Sequence, residues 1–220
     1  LLSDNDSNIK WILGLFYFDE KSDAFLNFTA PPSVEFILGP AKVDTTSLAA
    51  FGQVDYSLTE KLELTAGIRY THDEKDIARK LFFGIGGVAF VDATTELDDS
   101  WEKTTGKLGL SYHTSEDILL YASYSLGFKA GGFNASALAE PSYEAETIDA
   151  YEAGLKGQFL DNKLRLNVSA FYYDYTDKTE SKIAPISGAT ISSLVFTNAG
   201  AATITGVDIE VQSNITQSLS

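Results

Sequence analysis

The chain has 220 residues, of which 44% are hydrophobic and 21% are charged, and this composition is typical of folded proteins. A formal net charge of −15 argues against nucleic acid as a partner, because binding phosphates requires a basic surface. There is no cysteine, which excludes disulfides and cysteine-based sites, and no apolar run is long enough for a transmembrane helix.

Eight strands are predicted, because apolar and polar residues alternate with a period of two in eight segments. These segments are approximately residues 9–19, 47–58, 62–74, 102–113, 117–129, 147–160, 163–177 and 200–213. The third segment is the clearest, since Leu62, Leu64, Ala66, Ile68 and Tyr70 alternate with polar residues or glycine. The first segment, KWILGLFYFDE, is apolar on both faces, so the pattern does not say which face points inward.

The predicted connections alternate strictly in length. Short turns are expected at 59–61, 115–116, 161–162 and after Asn214, and Asp161 and Asn162 are residue types that tolerate a positive φ. Long connections are expected to begin at Lys21, Lys75, Ala130 and Lys178, and FVDATTELDDS (90–100) is interpreted as loop within the second of them. The pattern therefore indicates antiparallel hairpins that are joined by short turns at one end of the strands and by long connections at the other end.

The length of the predicted strands favours a fold in which the strands cross a membrane. The predicted strands are longer than the globular mode of about five or six residues. Leu62 to Tyr70 spans about eight steps of about 3.3 Å, which a tilt of about 40° projects onto roughly 20 Å, close to the apolar band of an outer-membrane barrel. We therefore predict an all-β fold, a section of an antiparallel transmembrane β-barrel with short periplasmic turns and long extracellular loops. A soluble antiparallel sheet or sandwich is the alternative fold.

The polar face of the predicted strands carries charges that are expected to face a wet lumen. They are Arg69, Lys107, Lys129, Lys156 and Arg165. Acidic residues on the same face are as numerous, so pairing of these cations with a plug and with neighbouring carboxylates is expected to take precedence over attraction of an anionic ligand. The only histidines, His72 and His113, fall at opposite ends of the strands, and no metal site, cofactor or catalytic set is predicted.

The stretch YASYSLGFKAGGFN, from Tyr121 to Asn134, closely resembles a signature stretch in the barrel of TonB-dependent outer-membrane receptors. WILGLFYFDE, LELTAGIRYTHDEKD, YEAGLKGQFLDNKLRLNVSAFYYDYTD and FTNAGAATITGVDIEVQ are similar to further strands and a hairpin of that family, in the same order. The resemblance covers nearly the whole chain. It implies that residues 1–220 form a middle-to-late section of a barrel of twenty-two strands, with the family's plug domain absent from this chain.

The resemblance also implies a function. It would be TonB-energised uptake of a scarce small-molecule ligand, such as a ferric siderophore, across the bacterial outer membrane. The implied partners are outer-membrane lipid and lipopolysaccharide, the ligand, and the TonB complex through the plug. Candidate ligand contacts are exposed residues of the long connections, namely Phe82, Phe83, Phe90, Phe133, Asn134 and Tyr143. Gly131 and Gly132 are expected to let the backbone turn sharply where the strand emerges.

The sequence also allows other interpretations of the architecture and of the function. An isolated section would have two unpaired edges, which hydrocarbon does not tolerate, so either further strands complete the barrel or the eight close by themselves. Eight strands is the minimum known size, and a small passive porin-like or adhesion barrel is therefore the alternative function. A soluble carbohydrate-binding sheet and an outer-membrane hydrolase are weaker alternatives.

Overall fold

A computed structural model describes residues 8–30, 34–85, 88–135, 140–185 and 192–213. This part of the chain forms twelve strands, and none of its segments is a helix long and apolar enough to cross a bilayer. The strands are β1 (Ile9–Ala30), β2 (Val34–Ser57), β3 (Leu62–Ile85), β4 (Val88–Ser115), β5 (Ile118–Lys129), β6 (Gly132–Phe133), β7 (Ser142–Tyr143), β8 (Glu146–Phe159), β9 (Leu164–Thr176), β10 (Thr179–Pro185), β11 (Ser192–Asn198) and β12 (Ala202–Ser213).

Eight of the strands form one antiparallel sheet in the order β1-β2-β3-β4-β5-β8-β9-β12. Each main strand pairs with the next main strand along the chain, which is the meander expected when short turns join consecutive hairpins. The eight predicted strands are all present in this sheet, and the prediction of an antiparallel all-β fold is confirmed. The other four strands form two small sheets, β6 with β7 and β10 with β11, inside the third and fourth long connections.

The first two long connections differ from the prediction. Residues from Lys21 and from Lys75 onward do not form loops but continue the strands of the β1–β2 and β3–β4 hairpins, and FVDATTELDDS (90–100) lies in β4. The physical reason is visible in β3, where Ile77 and Leu81 are 2% and 0% exposed while their neighbours Asp76 and Lys80 are exposed. The burial period of two therefore continues through a segment whose polar composition is typical of loops.

The sheet has one apolar face and one polar face. Each face is shown by a row of paired residues that crosses all eight strands. The apolar row is Ile9, Tyr56, Leu64, Leu110, Ala122, Ala153, Ala170 and Val207. The row beside it is Lys10, Asp55, Thr65, Gly109, Ser123, Glu152, Phe171 and Gly206, which is mostly polar or small. This alternation is typical of a wall between lipid and a wet lumen.

The register also assigns the faces of the first strand. Ile9 pairs with Tyr56 and therefore lies on the apolar face, and so do the odd residues Leu15 and Tyr17, which are 87% and 66% exposed. The even residues Phe16 and Phe18 lie on the polar face. This strand is apolar on both sides because aromatic rings also contribute to the polar face at this position.

The outer strands of the sheet, β1 and β12, do not pair with each other in the described part of the chain. Within the described residues, β1 forms its ladder with β2, and β12 forms its ladder with β9. The turn between β8 and β9 follows the prediction, because Leu160, Asp161 and Asn162 all have a positive φ, at 56°, 55° and 65°. The sheet is thus an open section with tight turns at one rim.

Spin labels on the protein in lipid vesicles should distinguish the two faces. Cysteines introduced at Leu64, Leu155 and Val168 are expected to place labels in lipid, where oxygen collides with them more often than a water-soluble nickel complex does. Labels at the matched positions Thr65, Lys156 and Ser169, on the polar face, should lose that preference. An aqueous or protein-packed signal at the first three positions would contradict the assignment of the apolar face to lipid.

Candidate functional site

A cavity of about 550 Å³ lies on the polar face, in the part of the sheet that is far from the short turns. Its walls come from β1, β2, β3, β4, β5 and β7. They consist of Phe16, Phe18, Thr45, Ser47, Arg69, Thr71, Asp73, Lys75, Thr105, Phe128, Lys129, Ala130 and Tyr143. Because one cavity is bordered by strands from β1 to β5, the sheet curves toward its polar face.

Three cationic side chains contribute to the cavity wall. The Arg69 guanidinium lies 5.3 Å from the Phe16 ring centroid, and its Nε donates to Thr71 Oγ1 at 2.9 Å. Lys129 forms an ion pair with Glu146, with 3.3 Å between Nζ and Oε1. Arg69 is held by an aromatic ring and a hydroxyl, which are neutral groups, and its positive charge is therefore not cancelled locally.

Lys75 connects the cavity wall to the segment that follows β5. Its Nζ donates a 2.7 Å hydrogen bond to the carbonyl oxygen of Gly131 and lies 5.7 Å from the Trp101 ring centroid. Burial lowers the pKa of Lys75, with Asp73 opposing that shift and Lys129 adding to it. The ammonium is thus a half-buried donor with neutral partners, at the boundary between the sheet and its long connections.

The five predicted lumen charges all lie on the polar face, as the register shows. Lys107 pairs in the ladder with Gly67 and Ser125, and Arg165 pairs with Gln158. In the described part of the chain, Lys129 of the five forms an ion pair, and pairing of the other four with a plug or with carboxylates stays a prediction. Lys156 lies 5.3 Å from the Tyr121 ring centroid. On the polar face, the cations Arg69 and Lys156 therefore lie beside aromatic rings and not beside carboxylates.

Asn134 contacts three segments that are distant from one another in the chain. It is 3% exposed, and its amide forms a two-way pair with the backbone of Phe196, in which Nδ2 donates to the carbonyl and Oδ1 accepts from the N–H, both at 2.7 Å. Nδ2 also donates to the carbonyl oxygen of Glu140 at 3.0 Å. The buried Arg79 of β3 donates from Nη1 to the Asn134 carbonyl. We call this arrangement the Asn134 junction.

A second asparagine repeats the arrangement. Asn198 accepts from the Glu144 N–H at 2.8 Å and donates to the carbonyl oxygens of Glu144 and Asp177, at 3.0 and 2.7 Å. The rings of Tyr143 and Phe196 lie between the two asparagines, with centroids 5.7 Å apart. The segments β6–β7 and β10–β11, called the roof below, are therefore held to each other by side-chain amides that substitute for strand partners.

The glycines at the base of the roof allow close packing. A Cβ at Gly131 would lie 2.4 Å from the Tyr143 carbonyl oxygen and 2.7 Å from the Trp101 ring, and one at Gly132 would lie 2.6 Å from the Tyr143 hydroxyl. Among the described glycines only Gly200 has a positive φ, so Gly131 and Gly132 do not use the left-handed conformation, and their predicted turning role stays a prediction. These positions lack a side chain because β3, β4 and β7 approach the backbone there.

The structure distributes the predicted ligand contacts unevenly. Tyr143 lines the cavity, Phe133 lies 6.2 Å from the Trp101 ring, and Phe82 is half-buried in β3. Both amide hydrogens of Asn134 are used within the protein, which gives it a structural role. Phe83 and Phe90 belong to β3 and β4, and their side chains lie outside the described part of the structure. Ligand contact by this set stays a prediction.

Sequence reasoning missed ten of the thirteen residues that line the cavity, among them Phe16, Phe18, Asp73 and Lys75. The signal for the last two was present, since Arg69, Thr71, Asp73 and Lys75 occupy alternate positions of β3. Ending the strand at residue 74 hid their common face. The two phenylalanines lie in the segment whose inward face the pattern did not define.

An open antiparallel sheet with an apolar outer face, a polar inner face, tight turns at one rim and extended hairpins at the other is a section of an outer-membrane β-barrel wall. More specifically, the chain belongs to the TonB-dependent receptor family, because the family model described as TonB dependent receptor-like, beta-barrel matches residues 2–220. This family resides in the outer membrane of Gram-negative bacteria, which is the location predicted from the sequence.

Individual relatives are similar at low identity. The pesticin receptor of Yersinia enterocolitica is 25% identical over 184 residues, which cover 82% of this chain and 25% of the relative. The catecholate siderophore receptor Fiu of Escherichia coli is 26% identical over 195 residues, which cover 80% of this chain and 24% of the relative. The chain therefore spans about a quarter of the length of these relatives.

A solved structure supports the same fold. The ferric yersiniabactin uptake receptor FyuA from Yersinia pestis superimposes with a TM-score of 0.76 at 19% identity, and the match covers 98% of this chain and 31% of that one. At this identity the likeness concerns the fold alone. It is a match to part of a larger barrel.

Proposed function

We propose that the chain supplies part of the wall of an outer-membrane receptor that takes up a scarce anionic ligand, such as a ferric siderophore, by TonB-energised active transport. Residues 1–220 are a middle-to-late section of the barrel and contain no plug domain, and TonB acts on the receptor through a plug. The observation that carries this proposal is the cavity on the polar face, which combines cations with aromatic rings beside the roof.

The chemistry of the cavity fits an anionic chelate. Three cations, Arg69, Lys75 and Lys129, face a single carboxylate, Asp73, among the described residues of its wall. The aromatic residues Phe16, Phe18 and Tyr143 supply rigid apolar contact area, which is the common composition of small-molecule sites. A volume of about 550 Å³ lies in the range of such sites. Relatives are named for catecholate siderophores and for ferric yersiniabactin, which are iron chelates.

In the proposed receptor the ligand is bound and transported without a chemical reaction, as the names of the relatives, which are receptors, suggest. Its further partners are outer-membrane lipid and lipopolysaccharide around the apolar face. The passive eight-strand barrel requires β12 to pair with β1, and the open sheet argues against that arrangement. In the proposed receptor, further strands of a larger barrel pair with the outer strands β1 and β12.

Removing the cations of the cavity should abolish uptake. In the full-length receptor, the triple variant Arg69→Gln, Lys75→Gln, Lys129→Gln is expected to reduce uptake of radioactive iron as ferric catecholate or ferric yersiniabactin by about 100-fold or more, because charge-assisted contacts contribute about 1.5–3 kcal/mol each. The strain should lack other receptors for these chelates.

The matched control also removes three cations, through Lys21→Gln, Lys80→Gln and Lys163→Gln, all of which are exposed and none of which lines the cavity. Uptake by the control should stay close to that of the unchanged receptor. Equal uptake by both triple variants, at equal receptor abundance in the outer membrane, would refute the cavity as the ligand site.

A further inference from the structure

Building on the proposed function, we infer that Asp73 is a specificity-determining residue of the cavity. It makes the cavity select anionic ligands that also carry a hydrogen-bond donor, such as a hydroxyl, an amide N–H or an ammonium group. An anion that offers only acceptors would bind less well, even with the same charge and size.

The position of Asp73 supports this role. It lies on the polar face of β3, between Arg69 and Lys75 along the strand, and its ladder partners are Ser47 and Trp101. Its Oδ1 atom is buried and accepts no hydrogen bond from the described part of the protein. No described cation forms an ion pair with it, and the nearby Lys75 donates to the Gly131 carbonyl instead. The carboxylate thus keeps acceptor capacity in the wall of a ligand-sized cavity.

An unsatisfied carboxylate makes the cavity sensitive to donors on the ligand. Asp73 is half-buried and lines the cavity, although its Oδ1 atom is itself covered, so a ligand donor reaches the carboxylate at its exposed part or after a rotation of the side chain. A carboxylate without a protein donor gains a hydrogen bond when such a ligand binds. The cations of the wall are donors only and attract any anion, so they do not separate one anion from another of equal charge. The threonine and serine hydroxyls nearby can also accept, but hydrogen bonds to an ionised acceptor are about twice as strong.

A polar site of this kind rejects analogues that lack the complementary group. A ligand with acceptors alone would place negative groups beside Asp73, leave its oxygen unpaired and add repulsion. Discrimination by a site built for a hydrogen bond exceeds discrimination by shape alone, because the unpaired group of the site remains desolvated. Asp73 therefore acts on which anion binds, while Arg69, Lys75 and Lys129 act on whether an anion binds.

Citrate and tricarballylate are suitable probes, since both carry three carboxylates and they differ by one hydroxyl. Binding of each to the purified full-length receptor, without metal ions, is measured by isothermal titration calorimetry. Citrate is expected to bind at least about tenfold more tightly. In Asp73→Ala the preference should fall to about onefold, and tricarballylate should bind several-fold more tightly than before because a repulsive charge has been removed. A merely structural role of Asp73 would weaken both anions.

The matched control is Asp76→Ala, three residues along β3 on the opposite face and exposed, and it should keep the preference for citrate. Equal binding of the two anions by the unchanged receptor would overturn the role of Asp73 and leave the cationic cavity intact, since Arg69→Gln should then still weaken both. Binding of neither anion would contradict the cationic cavity itself, and with it both the proposed function and this inference.

Discussion

Ala122→Arg is expected to destabilise the folded receptor by about 2–4 kcal/mol, which is the cost of an arginine facing lipid near the middle of a bilayer. Ala122 lies on the apolar row of the sheet, between Leu110 on β4 and Ala153 on β8. A guanidinium at this position would have to leave water and would meet only aliphatic neighbours across the strands. The free energy of unfolding is measured by denaturant titration of the full-length receptor in lipid vesicles.

The matched control is Ser123→Arg, the next residue of the same strand. Ser123 belongs to the polar row and pairs with Gly109 and Glu152, so an arginine there would have water and a carboxylate within reach. It should cost much less than Ala122→Arg. Equal losses of stability in the two variants would show that the apolar row does not face lipid.

The main sheet could be predicted from the sequence because its cause is local. A strand that separates two solvents imposes a period of two on its residues, and β5 and β8 carry that period almost without interruption. Residues of the turn after Phe159 are also a local signal, since asparagine and aspartate tolerate a positive φ. The antiparallel order follows from short turns between consecutive strands.

The upper parts of the β1–β2 and β3–β4 hairpins could not be predicted from composition. Above the membrane, both faces of a hairpin can be polar, and a charged strand then has the composition of a loop. Arg79 illustrates the difficulty, because a charged residue in a presumed loop is expected to be exposed, yet it is 2% exposed. Burial pairs it with the Asn134 carbonyl, a partner 55 positions away.

Long-range contacts also explain why the site was only partly predicted. Arg69 and Lys129 were selected as charges of the polar face, and Tyr143 as an exposed residue of a long connection, and all three line the cavity. Asn134 was selected for the same reason as Tyr143, but its partner Phe196 is 62 positions away, and no local pattern links the two. The roof depends on such contacts, so its residues could be chosen from sequence but their roles could not.

Asn134→Ala is expected to release the roof from the rest of the receptor without unfolding the barrel. The substitution removes the two-way pair with Phe196 and the bond to the Glu140 carbonyl, and it leaves the part-buried backbone groups of Phe196 without these partners. At about 1–1.5 kcal/mol for each lost hydrogen bond, local opening of the roof should become easier by about 3–4 kcal/mol.

Hydrogen exchange of the full-length receptor measures this opening directly. The amide of Phe196, which donates to Asn134 Oδ1, should exchange about 100-fold to 1,000-fold faster in Asn134→Ala, while the amides of β8 and β9 keep their protection.

Asn167→Ala is the matched control, since Asn167 also donates from its amide but to Glu210 on β12, far from the roof. Unchanged exchange at Phe196 would show that other contacts hold the roof, and acceleration throughout the barrel would show that Asn134 supports the whole fold and not the Asn134 junction alone. The expected result lies between these two outcomes because the Asn134 junction joins the roof to β3 through Arg79, while another contact, from the Thr179 N–H of β10 to Glu146 Oε2 of β8, remains in the variant.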